Sequence, residues 1–184
     1  KKTKLYPNII KIVIQDAFKL IKNKNKRVSI NISYDDIANE ETTTFIYEIL
    51  EQHRDLTEFL EFEILESEEI SDFSEVSKFI LNIKKFNCIV GVDDFGAGYS
   101  NFNLLTLLDI DFVKIDGSLI EKINSSKDLE IIVNTIANFS KEFKVKTVAE
   151  YVSNEDIYNK IKELNIDYCQ GYYFDKPLCY DAIK

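Results

Sequence analysis

Two adjacent carboxylates stand where an apolar segment of this sequence ends. Asp93 and Asp94 directly follow the segment at residues 88–92, and two glycines come soon after them. Like charges repel each other and resist losing their water, so the edge of a core is an unfavourable place for such a pair. Divalent cations beside or between the two side chains would offset that penalty. The pair therefore indicates a metal site.

Other polar groups stand at the ends of five further segments that have the composition of strands. These residues are Asn31, Glu63, Lys114, Glu150 and Gln170. Together with the aspartate pair they supply four carboxylates and two amides, with no histidine or cysteine among them. Oxygen ligands of this kind favour Mg²⁺, Mn²⁺ or Ca²⁺ and disfavour zinc of the thiolate type.

Each of these residues also has a purely structural interpretation. Asn31 could cap a turn, whereas Glu63 and Lys114 could simply face solvent. The aspartate pair could form an Asx turn before the glycines. Glu150 and Gln170, taken alone, do not discriminate between a structural and a chemical role. The single histidine, His53, lies in the polar stretch QHRD and is not expected to be catalytic.

Six strand-like segments alternate with segments of helical periodicity. Strands are predicted at residues 27–33, 59–65, 88–94, 112–116, 144–150 and 166–170. Helices are predicted at residues 8–23, 41–53, 71–86, 99–107, 128–142 and 154–164. Several strands are continuously apolar, as expected of parallel strands covered on both faces. The alternation predicts an α/β fold, either a doubly wound sheet or a (β/α)8 barrel.

The barrel is the favoured form, because no GxGxxG or Walker loop opens the first unit. In a barrel the loops after the strands build one rim, where the polar residues would meet. A barrel usually takes about 200 to 250 residues, whereas this chain has 184 and contains no methionine. We expect residues 1–184 to form one domain, with one or two strands upstream of Lys1.

Composition excludes several classes of protein. The chain is 45% hydrophobic and 30% charged, which is typical of a folded domain. Its formal net charge of −9 argues against DNA binding, which needs a basic surface. Three scattered cysteines suit neither a disulfide framework nor a zinc site, and they fit a reducing cytosol. No apolar stretch approaches membrane-spanning length, so no direct membrane contact is expected.

Six motifs of this chain resemble the EAL domain, the bacterial domain that linearises cyclic di-GMP. The motifs are SINIS (29–33), FEILES (62–67), DDFGAGYSNF (93–102), DFVKIDGSLI (111–120), KTVAEYVSNEDI (146–157) and QGYYFDKPL (170–178). They occur in the family's order and cover nearly the whole chain. The resemblance implies a modified (β/α)8 TIM-type barrel whose irregular first strand lies upstream of this sequence.

The resemblance also implies a role for each candidate residue. The implied ligands of two divalent ions, Mg²⁺ or Mn²⁺, are Asn31, Glu63, Asp93 and Asp94. The implied catalytic residues are Lys114, Glu150 and Gln170. Lys114 and Gln170 would position the hydrolytic water, and Glu150 would be a general base or a second-metal ligand. Glu66 would stabilise the loop at residues 95–101, which follows the aspartate pair.

The implied function is metal-dependent hydrolysis of cyclic di-GMP to linear pGpG in the bacterial cytoplasm. A homodimer and an upstream sensory or GGDEF domain are implied as well. The alternative is a catalytically inactive EAL domain that acts as a cyclic di-GMP receptor or as a protein-interaction module. The Glu-Ala-Leu signature, expected upstream of Lys1, would discriminate between the two. Leu65, Tyr151 and Ser153 depart from the family's common threonine, glycine and glutamate.

Overall fold

The predicted alternation of strands and helices is present in the computed structural model, which describes residues 6–65, 73–97 and 102–183. The strands are β1 (Val28–Ile32), β2 (Leu60–Leu65), β3 (Ile89–Phe95), β4 (Phe112–Ile115), β5 (Lys146–Ala149) and β6 (Tyr168–Cys169). The helices are α1 (Tyr6–Lys24), α2 (Tyr34–Ala38), α3 (Glu40–Gln52), α4 (Phe73–Lys84), α5 (Asn103–Leu107), α6 (Gly117–Ile120), α7 (Lys127–Glu142) and α8 (Glu155–Glu163). The strands form a six-stranded sheet in chain order. The α/β prediction is confirmed.

Two short helices were not indicated by the hydrophobic periodicity. The first, α2, begins with a capping box in which the Ser33 hydroxyl accepts from the backbone of Asp36 and the Asp36 carboxylate accepts from the backbone of Ser33. The second, α6, is capped by Asp116, whose carboxylate accepts from the backbone of Ser118. Side-chain caps start both helices. Each is too short to show a helical repeat, which is why periodicity missed them.

One compact unit comprises Lys1–Gly91 and Leu107–Asp109. Within it, β1 and β2 pair in parallel, with Asn31 opposite Glu63. Ile14 of α1, Leu50 of α3 and Phe62 of β2 are fully buried in its core. Burial of each such side chain contributes about 1.5–3 kcal/mol. This packing fixes the register of the two strands, and with it the position of the two polar residues at their ends.

The second compact unit comprises Val92–Thr106 and Ile110–Lys184. Its strands β4, β5 and β6 pair in parallel. Helix α7 buries Val133, Ile136, Ala137 and Ser140, one stripe of helical spacing. Because parallel strands end at the same edge of a sheet, the residues that follow β4, β5 and β6 emerge side by side.

Among the described residues, no helix combines the length and the apolar character needed to cross a bilayer.

Candidate functional site

Two of the predicted metal ligands lie side by side in the first unit. Asn31 of β1 and Glu63 of β2 are register partners, so their side chains project from the same face of the two strands. Asn31 is exposed, whereas Glu63 is buried. Two residues earlier on that face, Glu61 accepts a hydrogen bond from Ser29 at 2.7 Å. The structure therefore brings the predicted amide and carboxylate ligands of this unit together.

A buried lysine lies at the centre of the polar residues of the second unit. The Lys114 Nζ atom is 2.7 Å from Asp93 Oδ1 and 2.8 Å from Glu150 Oε1. The three side chains are only 9–12% exposed. Lys114 belongs to β4, and Glu150 directly follows β5, the neighbouring strand. A single ammonium group thus bridges two buried carboxylates that are far apart in the sequence.

Gln170 completes this network from the end of β6. Its Nε2 atom donates to Glu150 Oε1 over 2.7 Å. The backbone holds both residues in place, since the Gln170 amide donates to the Ala149 carbonyl and the Glu150 amide to the Ile115 carbonyl. The three residues predicted to be catalytic therefore form one hydrogen-bonded group around the Glu150 carboxylate.

Asp94 joins the same group through an unusual backbone conformation. Its φ is +55°, in the left-handed region that aspartate tolerates better than most residues. Successive strand residues normally point to opposite faces, and a left-handed residue interrupts that alternation. Asp93, Asp94 and Glu150 each contribute one carboxylate oxygen, and these three oxygens lie within 4.8 Å of one another. The local backbone thus lets both members of the aspartate pair serve one cluster.

The electrostatics of the cluster match a divalent cation. Burial raises the pKa of Glu150, against the opposing hydrogen bond from Lys114. Burial also raises the pKa of Asp94, and the charges of Asp93 and Asp116 raise it further. Burial is the larger cause of both shifts, and the neighbouring carboxylates add to it, because three carboxylates face one ammonium group. Clustered carboxylate oxygens suit Mg²⁺ or Mn²⁺, and such an ion would favour the ionised forms.

Sequence reasoning missed Asp116, which lies beside Asp94. The Asp116 carboxylate accepts from the Ser118 amide at 2.9 Å and also from the Ser118 hydroxyl. The nearby Asp116 carboxylate also helps to raise the pKa of Asp94. An Asp-Gly-Ser tripeptide directly after a strand is a typical Asx cap, and this signal could have drawn attention to the residue.

The loop after the aspartate pair is described only in part. Gly96 has φ +98°, and an added Cβ there would lie 2.5 Å from Leu119 Cδ1. The backbone conformation therefore favours glycine at this turn, and an added Cβ would also displace the end of the Leu119 side chain. Glu66, predicted to stabilise the loop, lies outside the described residues, as does the predicted start of α4 at residues 71–72.

Comparison with known proteins identifies close relatives. Cyclic di-GMP phosphodiesterase PdeA of Borreliella burgdorferi is 35% identical over 149 residues, which are 81% of this chain and 22% of that protein. Cyclic di-GMP phosphodiesterase PdeF of Escherichia coli is 32% identical over 151 residues, 82% of this chain and 20% of that protein. The chain therefore spans about a fifth of the length of these curated relatives.

A solved structure and a family model agree with these relatives. The crystal structure of an EAL domain protein from Listeria monocytogenes matches with a TM-score of 0.82 and 31% identity, over 98% of this chain and 76% of that one. This likeness confirms the predicted fold class, a TIM-type barrel fold. The family model described as "EAL domain" matches residues 1–177. With nearly all of its length matched, the chain belongs to the EAL domain family.

Proposed function

We propose that this chain is the phosphodiesterase domain of an enzyme that hydrolyses cyclic di-GMP. The observation that carries the proposal is the buried group of Asp93, Lys114 and Glu150, with its excess of negative charge. The named activity of the relatives supports the choice of substrate. Water would add across one phosphodiester: its hydroxyl goes to phosphorus and its proton to the departing 3′-oxygen. The product would be linear pGpG.

We propose that two divalent ions, Mg²⁺ or Mn²⁺, take part in this reaction. The residues that would hold them are Asn31, Glu63, Asp93 and Asp94. The cluster of oxygen donors in the second unit fits such an ion. When bound, the ions would neutralise the phosphodiester, lower the pKa of a water molecule and stabilise the leaving oxygen.

The remaining polar residues would act on the water and its proton. The Lys114 ammonium group, held by two carboxylates, would orient an attacking water or hydroxide by hydrogen bonding. Glu150 would accept a proton, and its burial makes that carboxylate a stronger base than an exposed glutamate. Gln170 would keep the Glu150 side chain in a fixed orientation through its 2.7 Å hydrogen bond.

The test is turnover of cyclic di-GMP by the purified protein together with its native upstream sequence. With Mg²⁺ or Mn²⁺ we expect conversion to pGpG, measured by chromatography, and complete loss of turnover after chelation with EDTA. Binding of both metal and cyclic di-GMP without any hydrolysis would contradict the proposal. That outcome would support the alternative, an inactive receptor for the nucleotide.

We also propose the properties that the family resemblance implies for the whole protein. These are a homodimer, an upstream sensory or GGDEF domain, a cytoplasmic location and a loop-stabilising role for Glu66. Sedimentation of the full-length protein tests the first of them. A single monomeric species across the micromolar range would contradict a stable dimer.

A further inference from the structure

A cleft of about 490 Å³ lies next to the acidic cluster of the second unit. Gln170, which donates to Glu150, also lines this cleft. Tyr151, the residue directly after Glu150, lines it from the neighbouring chain segment. The cleft is therefore continuous with the proposed catalytic group through residues of both segments. A group attached to a phosphodiester at the cluster would be within reach of the cleft.

Two exposed aromatic side chains give the cleft an apolar surface. Tyr151 is 70% exposed and Tyr172 is 66% exposed. Both line the cleft, together with Pro177. Exposed aromatic rings at a concave surface offer flat apolar faces on which a nucleic-acid base can stack, whatever its sequence context.

The Tyr151 ring is held in place by its backbone and its neighbours. Tyr151 has φ +54°, in the left-handed region that glycine adopts with least strain. Its ring lies against Gly117, where an added Cβ would be 2.2 Å from Tyr151 Cδ2. The next residue, Val152, is fully buried and pairs with the backbone of Gln170 and Tyr173 over 3.0 Å each. The backbone around Tyr151 is therefore held in place, and one side of its ring rests against Gly117.

Charged groups at the rim offer both kinds of hydrogen bond. Asp175 and Lys176 both line the cleft, and their side chains are an acceptor and a donor. The Asp175 carboxylate is oriented by a 2.8 Å hydrogen bond from the Lys176 amide. The Lys176 ammonium lies 5.8 Å from the Tyr172 ring centre. Guanine has matching edges: its N1–H and N2–H groups donate, and its O6 and N7 atoms accept.

We propose that Tyr151 gives this chain an additional stacking surface for the guanine base of the substrate that enters the cleft. This inference rests on the proposed function, since it assigns a place to one base of the nucleotide cleaved at the neighbouring cluster. Tyr151 stands where the family commonly has glycine, so the ring is a feature of this chain. Tyr151 is thus a substrate-binding residue that touches the base and takes no part in proton transfer.

The experiment compares two ligands that differ only in the base. Binding of guanosine 5′-monophosphate and of ribose 5-phosphate is measured by NMR titration of the wild-type protein and of Tyr151→Gly. Glycine removes the ring and suits the left-handed backbone. We expect the substitution to weaken nucleotide binding about tenfold and to leave binding of the sugar phosphate unchanged. Tyr151→Phe, which keeps the ring, should recover most of the lost affinity.

A matched control is Tyr168→Ser, which removes another exposed tyrosine of the same unit that does not line the cleft. It should bind both ligands as the wild-type protein does. Equal nucleotide affinity of the wild-type protein and Tyr151→Gly would overturn the inference. So would a wild-type protein that binds the sugar phosphate as tightly as the nucleotide.

Kinetics separate this inference from the proposed function. For cyclic di-GMP, Tyr151→Gly should raise KM about tenfold and change kcat much less, because base binding is shared by ground and transition states. Loss of kcat with an unchanged KM would overturn the stacking role. Failure of the wild-type protein to hydrolyse cyclic di-GMP would defeat the proposed function, whereas the NMR comparison would still decide whether the cleft binds the base.

Discussion

The two ends of β5 and β6 carry the same kind of contact in different surroundings. Where the strands begin, Lys146 Nζ lies 2.6 Å from Asp167 Oδ1. Where they end, Glu150 accepts from Lys114 at 2.8 Å and from Gln170 at 2.7 Å. Both contacts join a carboxylate to a lysine across neighbouring strands. They differ in how far water reaches them.

Exposure reverses the direction in which the carboxylate pKa moves. Burial raises the pKa of Asp167, but hydrogen bonds from Lys146 and Thr147 outweigh it, and the net pKa is lowered. At Glu150, burial raises the pKa, and the hydrogen bond from Lys114 does not compensate for it. The side chains of Lys146 and Asp167 are 58% and 29% exposed, against 11% and 9% for Lys114 and Glu150. The same pairing therefore favours the ionised carboxylate at the exposed end, whereas burial disfavours it at the other end.

This difference indicates that the two ends of the strands have different roles. Asp167 accepts from both the backbone amide and the hydroxyl of Thr147, and these hydrogen bonds join the start of β6 to the start of β5. They help to set the register that puts Gln170 beside Glu150 at the other end. Negative charge that is buried without enough cationic partners lowers the stability of the folded protein, and a bound cation would restore that stability.

The largest expected effect follows from changing a carboxylate at the buried end. Glu150→Gln keeps the shape of the side chain but removes its charge and its ability to accept a proton. We expect cyclic di-GMP hydrolysis to fall by about 10³-fold, as measured by kcat under saturating substrate and metal. Asp93→Asn should abolish hydrolysis as well, and circular dichroism should show that this variant keeps the fold.

The matched control for this change is Glu163→Gln. Glu163 is also paired with a lysine, Lys160 at 2.7 Å, but it is 65% exposed. Glu163→Gln should hydrolyse cyclic di-GMP at the rate of the wild-type protein. A Glu150→Gln variant that hydrolyses cyclic di-GMP at the wild-type rate would refute the role proposed for this carboxylate.

The second prediction compares the two lysines directly. In metal-free protein, Lys114→Met leaves two buried carboxylates without their shared ammonium, and the free energy of unfolding should fall by about 3 kcal/mol. Lys146→Met removes an exposed pair and should cost less than about 1 kcal/mol. Urea denaturation in EDTA measures both values. Equal losses would show that exposure does not distinguish the two ends.

The third prediction concerns the pH dependence of the exposed end. Because the pKa of Asp167 is lowered in the folded protein, its contribution is present above the ordinary aspartate pKa and is lost as the pH falls through the lowered value. We expect Asp167→Asn to lower the free energy of unfolding by about 1 kcal/mol near neutral pH. The difference from the wild-type protein should shrink below about pH 4.

Denaturant titrations at neutral and acidic pH measure this difference. Asp16→Asn provides a control, since Asp16 is paired with Lys19 on the surface of α1 with 62% of its side chain exposed. It should cost little at either pH. A constant loss for Asp167→Asn across the acidic range would contradict an ionised role for this carboxylate.

The sequence predicted the strands because their apolar runs reflect burial, and it predicted the polar residues because they interrupt those runs. Glu150 and Gln170 were found in this way. What the sequence could not supply was local backbone geometry. The left-handed conformation of Asp94 has no hydrophobic signature, although it decides where that carboxylate lies. Asp116 was overlooked because a single sequence does not show which charges lie beside a capping aspartate.

The prediction with the smallest expected effect concerns a thiol whose pKa is raised by burial alone. Burial alone raises the pKa of Cys88 to about 12, whereas Cys179 is exposed. Since the thiolate is the reactive form, a thiol reagent near pH 8 should label Cys179 in the native protein and spare Cys88 until the protein unfolds. Mass spectrometry after brief labelling identifies the modified residue, and Cys179→Ser should remove the fast phase without changing stability. Rapid labelling of Cys88 in the folded protein would contradict burial as the cause of its raised pKa, and would weaken the same explanation for Glu150.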